Sequence, residues 1–195
     1  MSFEAFAPPP PGRVVAVVPG PGADMIAALS PVLAEATAMG RDAAIAPADV
    51  AGSSALTVSA ALRCTAPLPT GAAREAWLRR MPELTARLDR PWFELDHAER
   101  YLAGVARARL GASDLLVLET PASRLGGPRV LRLVQDLAAE GCGILWIERR
   151  LRLVACFEIE AWLVDDGTAI GPLPAPALLD DPRAHRLCFG GTLAE

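Results

Sequence analysis

Short apolar runs, separated by longer amphipathic stretches, are the most regular feature of this chain. Four runs are rich in valine, leucine and isoleucine, and they cover residues 13–18, 114–118, 143–147 and 161–164. A continuous run of this length is typical of a strand that is buried on both faces. Turn residues close the first run at Pro19-Gly20-Pro21-Gly22 and the last at Asp165-Asp166-Gly167. The pattern predicts four strands at the centre of a sheet.

The stretches between the runs predict helices. The first extends from about Asp24, a good N-cap residue, to Met39, and Gly40 stops it. Further helices are predicted over 71–88 and 95–110, where apolar residues lie among charges, and from Val130 to near Gly141, where they recur at three and four. Short helices are predicted over 152–157 and 176–188. Residues 41–70 show little periodicity. Because strands and helices alternate, the sequence predicts an α/β fold with a mostly parallel sheet and helices on both faces.

The length of 195 residues is enough for one domain with a sizeable core. Prolines at 8–11 predict an extended arm over residues 1–12. The remainder, 13–195, is predicted to be a single domain, and the helical stretches over about 50–110 are expected to form a helical subdomain.

Charge and cysteine content exclude several classes of protein. The net charge of -4 gives no reason to expect nucleic acid. Four cysteines without a CxxC pair, together with only two histidines, make a zinc site unexpected, and reduced cysteines fit a cytosolic protein. There is neither a signal peptide nor an apolar run of about 20 residues, so a membrane would be met only through a partner. All 19 basic residues are arginines.

Several short motifs follow one another in a recognisable order. They read Leu95-Asp96-His97-Ala98-Glu99-Arg100, Leu118-Glu119-Thr120-Pro121, Ser123-Arg124-Leu125-Gly126, Ile147-Glu148-Arg149 and Leu163-Val164-Asp165-Asp166-Gly167. In spacing and order the chain resembles the ATPase domain of ABC transporters, with its signature helix, Asp-Glu-Pro strand end, Ser-x-Leu-Asp loop and switch histidine. The resemblance implies a P-loop NTPase-like sheet with a small helical subdomain. The stretch from Met25 to Pro47 is short for this family, which implies a reduced antiparallel β layer.

The loop after the first strand aligns with the family's phosphate-binding loop. Such a loop needs glycine N–H groups, a lysine for the phosphate charge and a hydroxyl for magnesium. Here Gly20 and Gly22 remain, but Met25 stands at the lysine and Ile26 at the hydroxyl position. Asp24 places a carboxylate at the helix N-terminus, where it satisfies the helix dipole and repels phosphate. Since the chain contains no lysine, a shifted alignment restores nothing.

The other motif positions have changed as well. Glu119 replaces the magnesium-binding aspartate, and Thr120 replaces the glutamate that activates water. Arg149 stands at the switch histidine.

Within the signature, Asp96 and His97 replace serine and glycine. A second interpretation of Asp96 is structural: it caps the helix, and Glu99 completes a capping box.

Three functional hypotheses follow from the resemblance. The first is a catalytically inactive subunit, a scaffold or regulator that pairs with an active ATPase subunit, with itself or with a permease, and that needs no cofactor and no metal. The second is a divergent but working ATP-binding subunit, and the third is an unrelated α/β binding module.

Two surface features add hints about partners. Trp77 and Trp92 are candidates for partner contact in the helical subdomain. Arg149, Arg150 and Arg152 crowd one loop, which is either a solvated turn or a binding patch.

Overall fold

One six-stranded sheet forms the centre of the molecule. The computed structural model of the chain describes residues 7–21, 23–47, 56–64, 71, 81–111, 114–165 and 168–189. The strands found there are β1 Val14–Pro19, β2 Ala43–Ala46, β3 Leu115–Glu119, β4 Gly143–Ile147, β5 Glu160–Asp165 and β6 Thr168–Pro174. Their order across the sheet is β2-β3-β4-β1-β5-β6. All neighbouring pairs are parallel except β5 and β6, which are antiparallel.

Helices and short helical turns connect the strands. The α-helices whose bounds lie in the described residues are α1 Met25–Ala38, α2 Val58–Arg63, α3 Pro82–Thr85, α4 His97–Gly111, α5 Pro121–Leu125, α6 Gly127–Ala139, α7 Leu151–Val154 and α8 Pro182–Phe189. Two 3-10 turns cover Trp92–Glu94 and Ala175–Leu179. The predicted α/β class with a mostly parallel sheet is confirmed.

Alternation along the strands divides the core in two. Ala16 and Val18 of β1 belong to the larger apolar cluster, whereas Val15 and Val17 belong to the smaller one on the opposite face. Helix α1 covers the smaller cluster, and α4 and α6 contribute to the larger one. This division follows from right-handed crossovers: the chain runs across the sheet in one direction from β1 to β2 and in the other from β2 to β4.

Both edge strands lie in segments where the sequence did not predict a strand. In β2, three alanines accompany Ile45, whose side chain is 44% exposed, so the run carries little apolar signal. Strand β6 contains Gly171, Pro172 and Pro174. Proline lacks an N–H group and is tolerated at a sheet edge, where one side of the strand needs no donor.

The proline-rich segment before β1 packs against the sheet. Pro8 and Pro9 are buried, and the Gly12 N–H donates a hydrogen bond to the Cys142 carbonyl at 3.1 Å. A Cβ atom at Gly143 would lie 2.5 Å from the Pro9 carbonyl oxygen, so only glycine leaves room for this contact. The described part of the predicted arm is therefore a packed segment at the amino end of the sheet.

The helical region between β2 and β3 shares the main core. The Val58 N–H donates to the Arg90 carbonyl at 2.9 Å, which fastens the start of α2 to the segment before the Trp92–Glu94 turn. Leu62 and Leu84 lie in the same apolar cluster as Ala16 of the central strand. The predicted subdomain start near residue 50 lies outside the described residues. In the described part of the chain, no helix has both the length and the apolarity needed to cross a membrane.

Candidate functional site at the carboxyl edge of the sheet

The carboxyl ends of β1 and β4 define the candidate site. The chain leaves β1 through α1 on one face of the sheet, whereas the connections through β4 lie on the other. When the connections from two neighbouring parallel strands go to opposite faces of the sheet, a crevice forms between the carboxyl ends of the strands. In α/β proteins, ligands bind in this crevice. Here β1 and β4 are paired from Val14 and Ile144 to Val17 and Ile147.

The loop after β1 uses its main-chain donors within the protein. The Gly20 N–H donates to the Val164 carbonyl at 2.8 Å, and the Ala23 N–H donates to the Gly20 carbonyl at 3.2 Å. Pro19 and Pro21 have no N–H to offer. Gly22 lies outside the described residues. Two N–H groups of this loop are therefore bonded within the protein and are not directed at an anion.

A carboxylate lies against the same loop. A Cβ atom built on the buried Gly20 would lie 2.4 Å from Oδ1 and 2.6 Å from Cγ of Asp165. Asp165 comes from the end of β5, the strand that pairs with β1 on the side away from β4. An acidic side chain of the protein itself thus lies against the loop after β1.

The start of α1 brings together the remaining residues of the predicted phosphate loop. Asp24 is exposed, and its carbonyl accepts the Ala28 N–H at 3.0 Å, which is the first hydrogen bond of the helix. Met25 is half-buried and packs against the smaller apolar cluster. The side chain of Ile26 lies outside the described part. Met25, at the position that aligns with the family's lysine, therefore makes an apolar contact with the core.

Glu119 and Thr120 lie at the end of β3, next to β4. Glu119 is half-buried, and the Thr120 N–H donates to the Ile147 carbonyl at 2.9 Å. Thr120 has a left-handed backbone (φ 44°, ψ 49°), and its carbonyl accepts the Ser123 hydroxyl at 2.8 Å. A β-branched residue in this conformation costs on the order of 1–3 kcal/mol, so its neighbours hold it there.

Glu148 is a site residue that the sequence did not single out. It follows β4 directly and is only 2% exposed. Its Oε2 accepts the Ala122 N–H at 3.3 Å and its Oε1 accepts the Arg150 N–H at 3.1 Å. The carboxylate therefore joins the start of α5 to the loop after β4. An acidic residue placed directly after a fully apolar strand was the signal that could have identified it.

A buried tyrosine lies behind Glu119 and Glu148. The Tyr101 side chain of α4 is 1% exposed, and among the described residues its hydroxyl has no hydrogen-bond partner. Burial raises its pKa above the ordinary value of 10.0, and the charges of Glu119 and Glu148 raise the pKa further. The crevice is therefore backed by carboxylates and by a neutral phenol.

Arg149, at the predicted switch position, is exposed at the carboxyl end of β4. No described side chain forms an ion pair with Arg149, although it lies one residue from the buried Glu148. The neighbouring Arg150 donates from Nη1 to the Ala122 carbonyl at 3.3 Å.

At the predicted signature, the structural interpretation of Asp96 is confirmed. Asp96 Oδ1 accepts the Glu99 N–H at 2.7 Å, and Glu99 Oε2 accepts the Asp96 N–H at 3.0 Å, which is a reciprocal capping box at the start of α4. Glu99 also forms an ion pair with Arg87, whose Nε lies 2.7 Å from Oε1. This hydrogen bond and the Glu99 charge raise the pKa of Arg87. His97 is exposed at the first position of the helix.

The suggestion that Trp92 contacts a partner needs correction. The Trp92 side chain is 3% exposed and belongs to the main core, because the Trp92–Glu94 turn directs it inwards. The next residue, Phe93, is 63% exposed. Trp77 lies outside the described residues. Within the described part of the chain, no group of three or more metal-ligating side chains comes together.

Comparison with known proteins identifies the fold. No protein-family model matches the chain, and no curated protein matches it by sequence. Solved structures do match. A transporter assigned to the metal-chelate ABC type, in an inward-facing conformation, has a TM-score of 0.69 and 17% identity over 92% of this chain and 79% of its own.

An ATP-binding subunit of an ABC transporter has a TM-score of 0.67 and 19% identity, over 95% of this chain and 86% of its own. A chain of the ribosome-bound archaeal Pelota and ABCE1 assembly has a TM-score of 0.65 and 18% identity, over 85% of this chain and 34% of its own. At these identities the likeness establishes that the chain has the fold of ABC ATPase subunits.

Proposed function

We propose that this chain is a catalytically inactive subunit with the ABC ATPase fold, a scaffold or regulator of a transporter complex. It acts by contact with an active ATPase subunit, with a second copy of itself or with a permease at the cytoplasmic side of a membrane. The fold supports the association with transport, because two of the matching structures are ABC transporters or their ATP-binding subunits.

The observation that carries the proposal is the packing of Met25. In the loop that the family uses for phosphate, this side chain lies against the apolar cluster covered by α1. A lysine ammonium is replaced there by a thioether in a core contact, which carries no charge for a phosphate.

Electrostatics supports the same conclusion. Asp24 opens α1, Asp165 lies against Gly20, and Glu119 ends β3. A nucleotide triphosphate would bring several negative charges to the loop beside Asp24 and Asp165, and the chain has no lysine to place beside its phosphates. The capping box at Asp96 supports the proposal too, because that carboxylate is used within its own helix.

Phosphate release by the purified chain tests the inactive state. We expect no release above the buffer rate with Mg-ATP, and no difference between the natural chain and the Glu119→Ala variant. Steady release that Glu119→Ala abolishes would establish the chain as a divergent ATPase.

Purification from native membranes tests the association with a transporter. We expect a permease or an intact ATPase subunit to be recovered with the chain. Recovery of the chain without either, under conditions that preserve other transporter complexes, would favour an unrelated binding module.

A further inference from the structure

The loop after β4 presents three arginines within four residues. Arg149, Arg150 and Arg152 are all exposed, whereas Leu151 and Val154 of α7 are buried. A single helical turn whose apolar residues face the core directs its remaining side chains to solvent. We call Arg149, Arg150 and Arg152 the arginine loop.

The charge of the arginine loop is not balanced within the protein. No described carboxylate forms an ion pair with any of its three arginines, and Arg150 alone makes a side-chain hydrogen bond, to a carbonyl. Elsewhere, five of the described arginines form ion pairs with carboxylates, as in the pairs Arg87–Glu99 and Arg109–Glu140. The nearest carboxylate in sequence, Glu148, is turned inwards and bound to two main-chain N–H groups.

Hydrogen bonds and packing fix the backbone of the arginine loop. Glu148 accepts the Arg150 N–H, and the Leu151 N–H donates to the Arg149 carbonyl at 3.1 Å. Leu153 packs beside the first residue of α6, where a Cβ on Gly127 would lie 3.2 Å from its Cδ1. Because the backbone is already fixed, binding of an anionic ligand to the three guanidinium groups has a lower entropic cost.

We propose that the arginine loop is a docking site for an acidic peptide segment of a partner protein. Planar guanidinium groups bind carboxylates through paired hydrogen bonds, which suits glutamate and aspartate side chains. Nucleic acid and anionic lipid fit less well, because the patch is small and the chain as a whole carries a net charge of -4.

This inference rests on the proposed function, since a subunit that acts by contact needs a partner, and it adds the chemistry of that partner. A peptide titration measures the docking site alone. Phosphate release, by contrast, measures only the loss of catalysis, so failure of one proposal is distinguishable from failure of the other.

Fluorescence anisotropy with a labelled peptide of alternating glutamate and serine tests the docking site. The variant Arg149→Gln with Arg152→Gln removes two charges but keeps Arg150, which also contacts the Ala122 carbonyl. The matched control is Arg13→Gln with Arg186→Gln, two exposed arginines that are not part of this loop. Circular dichroism of both variants checks that they remain folded.

We expect the first variant to weaken peptide binding about tenfold or more and the control to change it less than about twofold. Binding by the natural chain should also weaken between about 0.05 and 0.3 M salt. An equal loss in both variants, or no binding by the natural chain at low salt, would overturn the proposal. So would single-stranded DNA or phosphatidylserine vesicles binding more tightly than the peptide and losing that binding in the first variant.

Discussion

The loops that follow β1 and β4 leave the same edge of the sheet from neighbouring parallel strands, yet they carry opposite charge. The first opens α1 with Asp24 and is contacted by Asp165. The second exposes Arg149 and its neighbours above a buried Glu148. The comparison teaches that neighbouring strand ends of one sheet can carry side chains of opposite charge.

A carboxylate of the protein itself lies against each loop. Asp165 lies beside Gly20 in the loop after β1, whereas Glu148 holds the loop after β4 by accepting two main-chain N–H groups. If this comparison is correct, substitutions at the two loops should lower the free energy of unfolding by unequal amounts. The larger loss is expected at Glu148, the buried carboxylate that accepts hydrogen bonds.

Glu148→Ala should have the largest effect. It leaves the N–H groups of Ala122 and Arg150 without their acceptor in a buried place and opens a cavity, so we expect the free energy of unfolding to fall by about 3 kcal/mol. Chemical denaturation measures this loss. The control Glu158→Ala removes an exposed glutamate from the following loop and should stay within about 0.5 kcal/mol of the natural chain. Equal losses in the two variants would contradict the role given to Glu148.

Gly20→Ala should come next. Its Cβ would lie 2.4 Å from Oδ1 of Asp165, so the carboxylate must shift, at a cost of about 2 kcal/mol by denaturation. Gly127→Ala is the control, because its new Cβ meets only the end of the flexible Leu153 side chain at 3.2 Å. We expect less than about 1 kcal/mol there. A harmless Gly20→Ala substitution would show that Asp165 does not lie against the loop.

Sequence reasoning succeeded best at the central strands. Continuous apolar runs predicted β1, β3, β4 and β5, because central parallel strands are buried on both faces and must be apolar throughout. The edge strand β2 was missed because its alanines and the exposed Ile45 carry little apolar pattern.

At the site, local signals were reliable and distant ones were not. The capping box of Asp96 and Glu99 follows from residues three positions apart, so the sequence predicted it. The Asp165 contact with Gly20 joins residues from two strands, and Trp92 is buried by tertiary packing. Neither leaves a periodic pattern in the sequence.

Met25→Lys tests the loop after β1 with a smaller expected effect. Because Met25 is half-buried against the apolar cluster, a lysine there must direct its ammonium group to solvent, and we expect a loss of about 1 kcal/mol. Met39→Lys, at a methionine that is 61% exposed, should cost less than about 0.5 kcal/mol. Thermal denaturation compares the pair, and an equal change in melting temperature would contradict the contact assigned to Met25.

Asp181→Asn, away from both loops, should have the smallest effect. The hydrogen bond from Arg183 lowers the pKa of Asp181 from 3.8 to about 2. A lowered pKa stabilises the folded chain above pH 4, and this contribution is lost as the pH falls towards 2. Because the Arg183 side chain is 48% exposed, the difference at neutral pH should be only about 0.5 kcal/mol.

Asparagine keeps the helix cap that Asp181 provides to the Arg183 N–H, so this substitution removes only the charge and one of the two hydrogen bonds to the guanidinium. Urea denaturation at pH 7 and at pH 2 provides the comparison. A difference between the natural chain and the variant that persists at pH 2 would assign the effect to something other than the charge.

Calorimetric titration of the chain with Mg-ATP tests the central claim most directly. Because Met25 lies in an apolar contact and acidic side chains line the loop after β1, we expect no heat of binding for the natural chain. Met25→Lys alone should not restore binding, since Asp24, Asp165 and the two prolines remain. Nanomolar or micromolar binding by the natural chain would contradict the account.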